Sequence, residues 1–128
     1  MNIWIGILCV FGGSGLGGVL RYLAGLGLSA VWPGDKEWAL PWNTLLVNIA
    51  GCFIIGAVYG ACNAPWLSQQ LRTGLTAGFC GGLTTFSAFG YETFEMVADG
   101  RLWAAAGYTV LSVAAGVLAS WIGYSMSR

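Results

Sequence analysis

Three polar side chains of this sequence stand out because each lies inside a long apolar run. Asn48 is flanked by Val47 and Ile49, and an amide in such surroundings costs free energy unless it has a partner. Its NH2 group could hold an anion by hydrogen bonds. Arg21 and Glu92 are ionisable, which makes each a candidate functional residue. Each could equally snorkel to an interface or pair with another group, and a structural role is the simpler interpretation of both.

The segment from Gly78 to Ser87, GFCGGLTTFS, combines paired glycines with two adjacent β-branched threonines. Both features weaken a helix, so we expect a break into two half-helices here. Unwound backbone at membrane depth is tolerated only where it is buried in protein or lines a cavity. Its freed carbonyls can then coordinate a cation, and the N-termini of half-helices attract anions. A bent packing helix is the alternative.

Aromatic and small polar residues add two more patterns. Phe86 and Phe89 are three positions apart and share one helix face. Packing in a core is the simplest account of two Phe in this arrangement. Further along, small and polar residues recur every fourth position and form one stripe, which is either a packing seam or the wall of a pathway. The stripe consists of Tyr108, Ser112, Gly116, Ser120 and Tyr124.

The elements that carry these residues are predicted from composition. Apolar residues make up 57% of the chain and charged residues 8%, whereas soluble domains carry about 25% charged residues. Apolar runs cover 3–28, 42–62, 71–98 and 102–126, and each has the roughly 20 residues that a helix needs to cross a bilayer. A turn-rich stretch at 32–37 separates the first two runs. We therefore expect an all-α membrane protein with four transmembrane helices, the third broken at mid-membrane, in a single domain over the whole chain.

Glycine spacing predicts where these helices touch. Lipid gives helices no hydrophobic drive to associate, so small residues at their interfaces let two backbones approach closely. The chain has 21 glycines, most of them inside the predicted helices. The pairs in GxxxG spacing are Gly13/Gly17, Gly56/Gly60 and Gly78/Gly82.

The charges bear on orientation. With the N-terminus on one side of the membrane, Arg72 and Arg128 lie on that side, and Arg21, Lys36 and Arg101 lie toward the other. Two basic residues against three give the positive-inside rule almost nothing to act on. Such a protein could insert both ways up, and two copies could pair as an antiparallel dimer. A fixed but weakly encoded orientation is the alternative.

Several classes of function are disfavoured by composition. The net charge is zero and no basic cluster occurs, so nucleic acid is not an expected partner. The chain has no His, and its four Cys show no metal-binding spacing, so we expect no enzyme. A small multidrug transporter with four helices is the alternative function. It would need a carboxylate in the first helix, which has Arg21 and neither Asp nor Glu.

Three segments resemble one known family. GGSGLGGVLRY (12–22), NTLLVNIAG (43–51) and GFCGGLTTFSAFGYE (78–92) strongly resemble the CrcB/Fluc fluoride channels, and the resemblance follows all four helices in order. It implies an antiparallel, dual-topology homodimer in the lipid bilayer of the inner or plasma membrane, with two fluoride pores. It also implies a structural sodium ion at the dimer centre and passive export of fluoride, which lowers cytoplasmic fluoride.

The resemblance also implies roles for individual residues. Gly81 and Thr84 would offer backbone carbonyls to the sodium ion. Thr85, Arg21 and Glu92 fall on polar or charged positions of the family without a definite role, and of these Thr85 is expected at the fluoride pore. The residues that would form the fluoride pore are Asn48 as a donor, Phe86 and Phe89 through their ring edges, and Tyr108 and Ser112 as a polar wall.

The sequence departs from the commoner family pattern in one respect. It reads TTFSAFG where TTFSTFS is commoner, which places Ala88 and Gly90 at hydroxyl positions. Gly116 stands where some relatives have a serine. The polar track is therefore expected to have fewer hydroxyls, while the aromatic pair and Asn48 are retained.

Overall fold

The computed structural model describes residues 1–31 and 40–128. The predicted turn at 32–37 and the basic residue Lys36 lie outside the described residues. Within the described part of the chain every regular element is helical. The elements are α1 (Ile3–Val31), α2 (Trp42–Gly60), α3 (Gln69–Thr73), a π-helical segment (Gly74–Cys80), α4 (Gly81–Leu83), α5 (Phe86–Ala98) and α6 (Leu102–Ser127). The prediction of an all-α protein is confirmed for the described residues.

Three of the helices, α1, α2 and α6, are long and apolar enough to cross a membrane. Many of their apolar side chains face outward, among them Phe11 at 79% and Trp103 at 88% exposure. A surface of this kind suits lipid rather than water. Compared with the predicted runs, α1 extends three residues further, α2 ends two residues earlier and α6 extends one residue further. The early end of α2 precedes Pro65, which cannot continue a helix.

The third predicted run is divided into shorter pieces. It begins with α3, whose N-cap Ser68 accepts a hydrogen bond from the backbone N–H of Leu71 at 3.1 Å. The helix then widens into the π-helical segment and narrows again in α4, where it ends at Leu83. Thr84 and Thr85 have extended backbone, with ψ angles of 156° and 115°. We call these two residues the extended pair. A new helix, α5, begins directly after it.

Two helix seams rest on glycine. In the first seam, α1 packs against the π-helical segment and α4. A Cβ added at Gly13 would overlap the carbonyl of Gly74, and one added at Gly17 would overlap the carbonyl of Phe79. Gly82 is equally close to the α1 backbone at Ser14. These backbones therefore touch with no room for a side chain, as expected for small residues at a membrane helix interface.

The second seam joins α2 to α6, which is the most extensive contact between helices in the described part of the chain. A Cβ at Gly56 would overlap the carbonyl of Ser120, and one at Gly123 would overlap the carbonyl of Phe53. The hydroxyl of Ser120 also donates to the carbonyl of Cys52 at 3.0 Å. The later part of the predicted stripe on α6 is therefore a packing seam.

A small core closes one end of the bundle between α2, α5 and α6. Its buried members are Leu45, Met96, Ala105 and Tyr108. Phe89 packs against them from α5 and is partly buried. This core ties α5 to α6 and fixes the helix that follows the extended pair.

Candidate functional site

The site is organised around one amide that bridges two distant parts of the chain. Asn48, in the middle of α2, donates through Nδ2 to the carbonyl of Thr85 at 3.2 Å. In return, the backbone N–H of Thr85 donates to Oδ1 of Asn48 at 2.7 Å. The side chain thereby satisfies both backbone groups of a residue that has left the helix. One N–H of the amide remains for another acceptor, since an NH2 group carries two donors.

This bridge has a consequence for the carbonyls near the extended pair. In a continuous helix the carbonyl of residue i accepts from the N–H of residue i+4. The N–H of Thr85, which would serve Gly81, is taken by Asn48. The N–H of Ala88, which would serve Thr84, donates to Oγ1 of Thr85 at 3.2 Å. The carbonyls of Gly81 and Thr84 therefore lose their helical donors, and these are the two positions predicted to face a cation.

The neighbouring carbonyls are satisfied differently. The carbonyl of Cys80 accepts from the backbone N–H of Thr84 at 2.9 Å and from its Oγ1 at 2.7 Å. The carbonyl of Gly82 accepts from Nε of Arg21 at 3.1 Å. Helix ends leave their last carbonyls without intrahelical partners, and such groups need other donors. Arg21 is thus tied to the end of α4.

Beside the extended pair lies a groove of about 410 Å3 that is open on one side. We call it the central groove. Its described lining includes no charged side chain. The groove brings together most of the predicted site residues, namely Asn48, Gly81, Thr84, Thr85, Phe86, Phe89 and Ser112. Arg21, Glu92 and Tyr108 lie elsewhere.

The aromatic residues form a short series that leads from the open side inward. Phe86 is 83% exposed, and its ring centroid lies 5.8 Å from that of Phe89. Phe89 in turn lies 5.2 Å from the ring of Tyr108, which is completely buried. The tilts of 43° and 40° within these pairs suit rings whose edges and faces carry opposite partial charges. An exposed Phe86 next to a polar amide is not a core position.

Ser112 contributes a hydroxyl to the wall of the central groove. Its Oγ is buried and has no hydrogen-bond partner in the described part of the protein. Buried polar atoms are almost always paired, so an exception calls for an explanation. Ser112 is one of the residues that line the groove, so this unpaired hydroxyl lies beside it.

Glu92, which is not among the described residues that line the groove, accepts hydrogen bonds from two hydroxyls. Thr44 donates to its Oε1 at 2.6 Å, and the hydroxyl of Tyr108 donates to its Oε2 at 2.8 Å. Each carboxylate oxygen therefore has a donor, and the carboxylate is partnered within the protein. Thr44 was not identified from the sequence, although it lies four positions before Asn48 and therefore on the same helix face. Tyr108 lies one ring behind Phe89, and its place in the pore wall stays a prediction.

The comparisons with known proteins agree on one family. The family model described as CrcB-like protein, Camphor Resistance (CrcB), matches residues 8–124. A protein of Pseudomonas syringae pv. tomato named Fluoride-specific ion channel FluC is 44% identical over 113 residues, which is 88% of each chain. Proteins of the same name from Pseudomonas fluorescens and Geobacter sulfurreducens are each 42% identical. They cover 95% and 94% of this chain and 96% and 94% of their own lengths.

Proposed function

This chain belongs to the family of CrcB-like proteins, and from that premise we propose that it is a fluoride channel whose pore is built on the central groove. It is an ion channel and not an enzyme, and it is a multi-pass protein of the inner membrane. Fluoride would pass down its gradient and leave the cell. The observation that carries the proposal is an uncharged groove that combines an amide, two aromatic rings and a hydroxyl without a partner.

Fluoride is small and strongly hydrated, so a pore must replace its water with other donors. The free N–H of Asn48, the hydroxyl of Ser112 and the ring edges of Phe86 and Phe89 are donors of this kind. None is charged, and a pore must bind its ion weakly enough to release it. A cationic drug, as in the multidrug transporter alternative, would find no carboxylate among the described residues that line this groove.

We further propose that two copies pair in opposite orientations and that the partner closes the open side of the groove. Phe86 is supporting evidence, because a ring that is 83% exposed beside an open groove has room for a second subunit. The near balance of basic residues supports insertion both ways up. Each groove would then become one of two pores, and the extended pair would lie at mid-membrane.

A sodium ion at the centre of this dimer is part of the proposal. The carbonyls of Gly81 and Thr84 have lost their helical donors, and both residues line the groove. Oxygen atoms are the ligands that hard cations prefer, so this donor set fits sodium. Two copies would contribute four such carbonyls, and the ion would stabilise the broken backbone by satisfying them.

Efflux from liposomes tests the function directly. Liposomes that hold the purified protein and are loaded with fluoride should empty within the assay, whereas the same liposomes loaded with chloride should retain it. A fluoride electrode and a chloride electrode follow the two ions under one membrane potential. Equal efflux of both anions, or proton-coupled uptake of a lipophilic cation in place of fluoride efflux, would contradict the proposal.

A further inference from the structure

Arg21 occupies an unusual place for a permanent charge. It lies on α1 about 27 Å along the axis from Ile3, in a helix about 43 Å long. Its side chain is partly buried. A guanidinium on an apolar membrane-spanning helix is costly unless it reaches the interface or has a partner within the protein. Its Nε finds one in the carbonyl of Gly82, 61 positions away in the sequence.

That carbonyl belongs to the end of a helical segment. The last carbonyls of a helix carry a partial negative charge, and a cation near them is stabilising. The hydrogen bond from Arg21 satisfies only one of the carbonyls at this helix end. Arg21 satisfies Gly82, Thr84 satisfies Cys80, and the intervening carbonyl of Gly81 stays without a helical donor.

The first glycine seam holds α1 in place for this contact. The Gly82 backbone touches Ser14 and Gly18, and a Cβ at Gly17 would overlap the backbone of α4 as well as that of Phe79. Arg21 follows Gly17 by four positions and Gly18 by three, so it projects from the same face of α1. The guanidinium is therefore positioned by backbone contact rather than by a flexible surface.

We propose that Arg21 is a positioning residue for the broken helix. By capping Gly82, it fixes the end of α4 in the orientation that leaves the carbonyls of Gly81 and Thr84 directed to the central groove. Arg21 does not line that groove and does not touch the conducted ion. The inference rests on the proposed function, because the groove matters only if it forms the pore and holds the cation.

The test compares the full-length protein with Arg21→Lys, Arg21→Gln and Arg21→Met. Lysine keeps charge and donor, glutamine keeps an uncharged donor, and methionine keeps only the apolar stem. Fluoride efflux should fall in that order, with Arg21→Met at least about tenfold below the parent, the range expected when a hydrogen bond to a charged group is lost. Arg128→Met, at the exposed C-terminal residue, is the control and should leave efflux unchanged.

A second measurement separates positioning from general stability. In Arg21→Ala, guanidinium ion at millimolar concentration should restore efflux, whereas tetramethylammonium at the same concentration should not. The sodium concentration that gives half of the maximal thermal stabilisation should be several-fold higher for Arg21→Lys than for the parent. Equal restoration by both ions, an Arg21→Gln protein as active as the parent, or an unchanged sodium dependence would overturn the inference.

Two further outcomes remain decisive. If Arg21→Met and Arg21→Ala do not elute as folded proteins, the order of Lys and Gln decides, and better efflux with Gln would overturn the inference. If the parent itself passes no fluoride, the proposed function has failed. The positioning role is then judged by thermal unfolding alone, where the order Arg, Lys, Gln must still hold.

Discussion

Replacing Asn48 perturbs both the proposed pore and the backbone that shapes it. Asn48→Ala removes the 2.7 Å bond from the N–H of Thr85 and the 3.2 Å bond to its carbonyl. A hydrogen bond is worth about 0.5–1.5 kcal/mol net, and an orphaned buried partner costs about 1–3 kcal/mol. The groove is open, so water can reach these groups and the lower values apply. We expect Asn48→Ala to destabilise the arrangement of the extended pair by about 1–3 kcal/mol, which lowers the population of molecules in that arrangement roughly 5- to 150-fold.

Asn48→Asp keeps the acceptor of this side chain and removes its donor. A carboxylate still accepts from the N–H of Thr85, but it offers no donor to an anion and adds a negative charge. Its second oxygen, however, would face the carbonyl of Thr85 where the NH2 group now donates, so we expect Asn48→Asp, like Asn48→Ala, to unfold at a lower temperature than the parent. Fluoride efflux from Asn48→Asp should be as low as that of Asn48→Ala, or lower.

Efflux from liposomes and thermal unfolding of the purified protein are measured side by side. Asn43→Ala is the matched control, because Asn43 lies on the same helix but lines a different, apolar groove between α1 and α2. It should keep efflux within about twofold of the parent. The reasoning is refuted if Asn48→Asp conducts fluoride like the parent, because the amide donor would then have no part in the pore. It is also refuted if Asn48→Ala conducts normally.

Three other outcomes are expected. Phe86→Met and Phe89→Met nearly conserve side-chain volume, which costs under about 1.5 kcal/mol, so both proteins should elute normally while fluoride efflux falls at least tenfold. Efflux like that of the parent from both variants would leave packing as the only role of these rings. Phe94→Met, on an exposed face, is the control. Gly123→Ala should lower the unfolding temperature because its Cβ meets the α2 backbone, whereas Gly107→Ala, with nothing within 4 Å, should not. Equal unfolding temperatures of the two variants would contradict the close approach of α2 and α6 at Gly123. C-terminal reporter fusions should report both orientations in one cell, and a signal from one side only would rule out dual topology.

The sequence predicts most of the helical framework because that framework follows from composition. Long apolar runs fix α1, α2 and α6 within a few residues, since the bilayer demands a minimum length of helix. The π-helical segment has no such signal. Its wider turn occurs where Gly74 and Gly78 lie against the α1 backbone, and this depends on a partner that is distant in the sequence.

The residues of the site could be predicted from the sequence, but the hydrogen bonds and contacts between them could not. Gly81 and Thr84 came from a family resemblance. The carbonyl of Gly81 lacks its helical donor because Asn48, 37 positions before Thr85, accepts the N–H of Thr85, and that of Thr84 lacks its donor because Oγ1 of Thr85 accepts the N–H of Ala88. The contact between Thr44 and Glu92 spans 48 positions and has no local signature. The stripe on α6 fits both of its interpretations in part, because Ser112 faces the groove while Ser120 packs on α2. Periodicity identifies a face but not the neighbour that it meets.

The contact between Arg21 and Gly82 sets a condition on biosynthesis. The two residues are 61 positions apart, and ribosomes add about 5–20 residues per second. For roughly 3–12 seconds of translation at that rate, the nascent α1 carries a charge whose carbonyl partner has not yet been made. Until the third span is synthesised, the guanidinium cannot bind the carbonyl of Gly82. Lipid headgroups, water or the insertion machinery must serve as its partner during that interval.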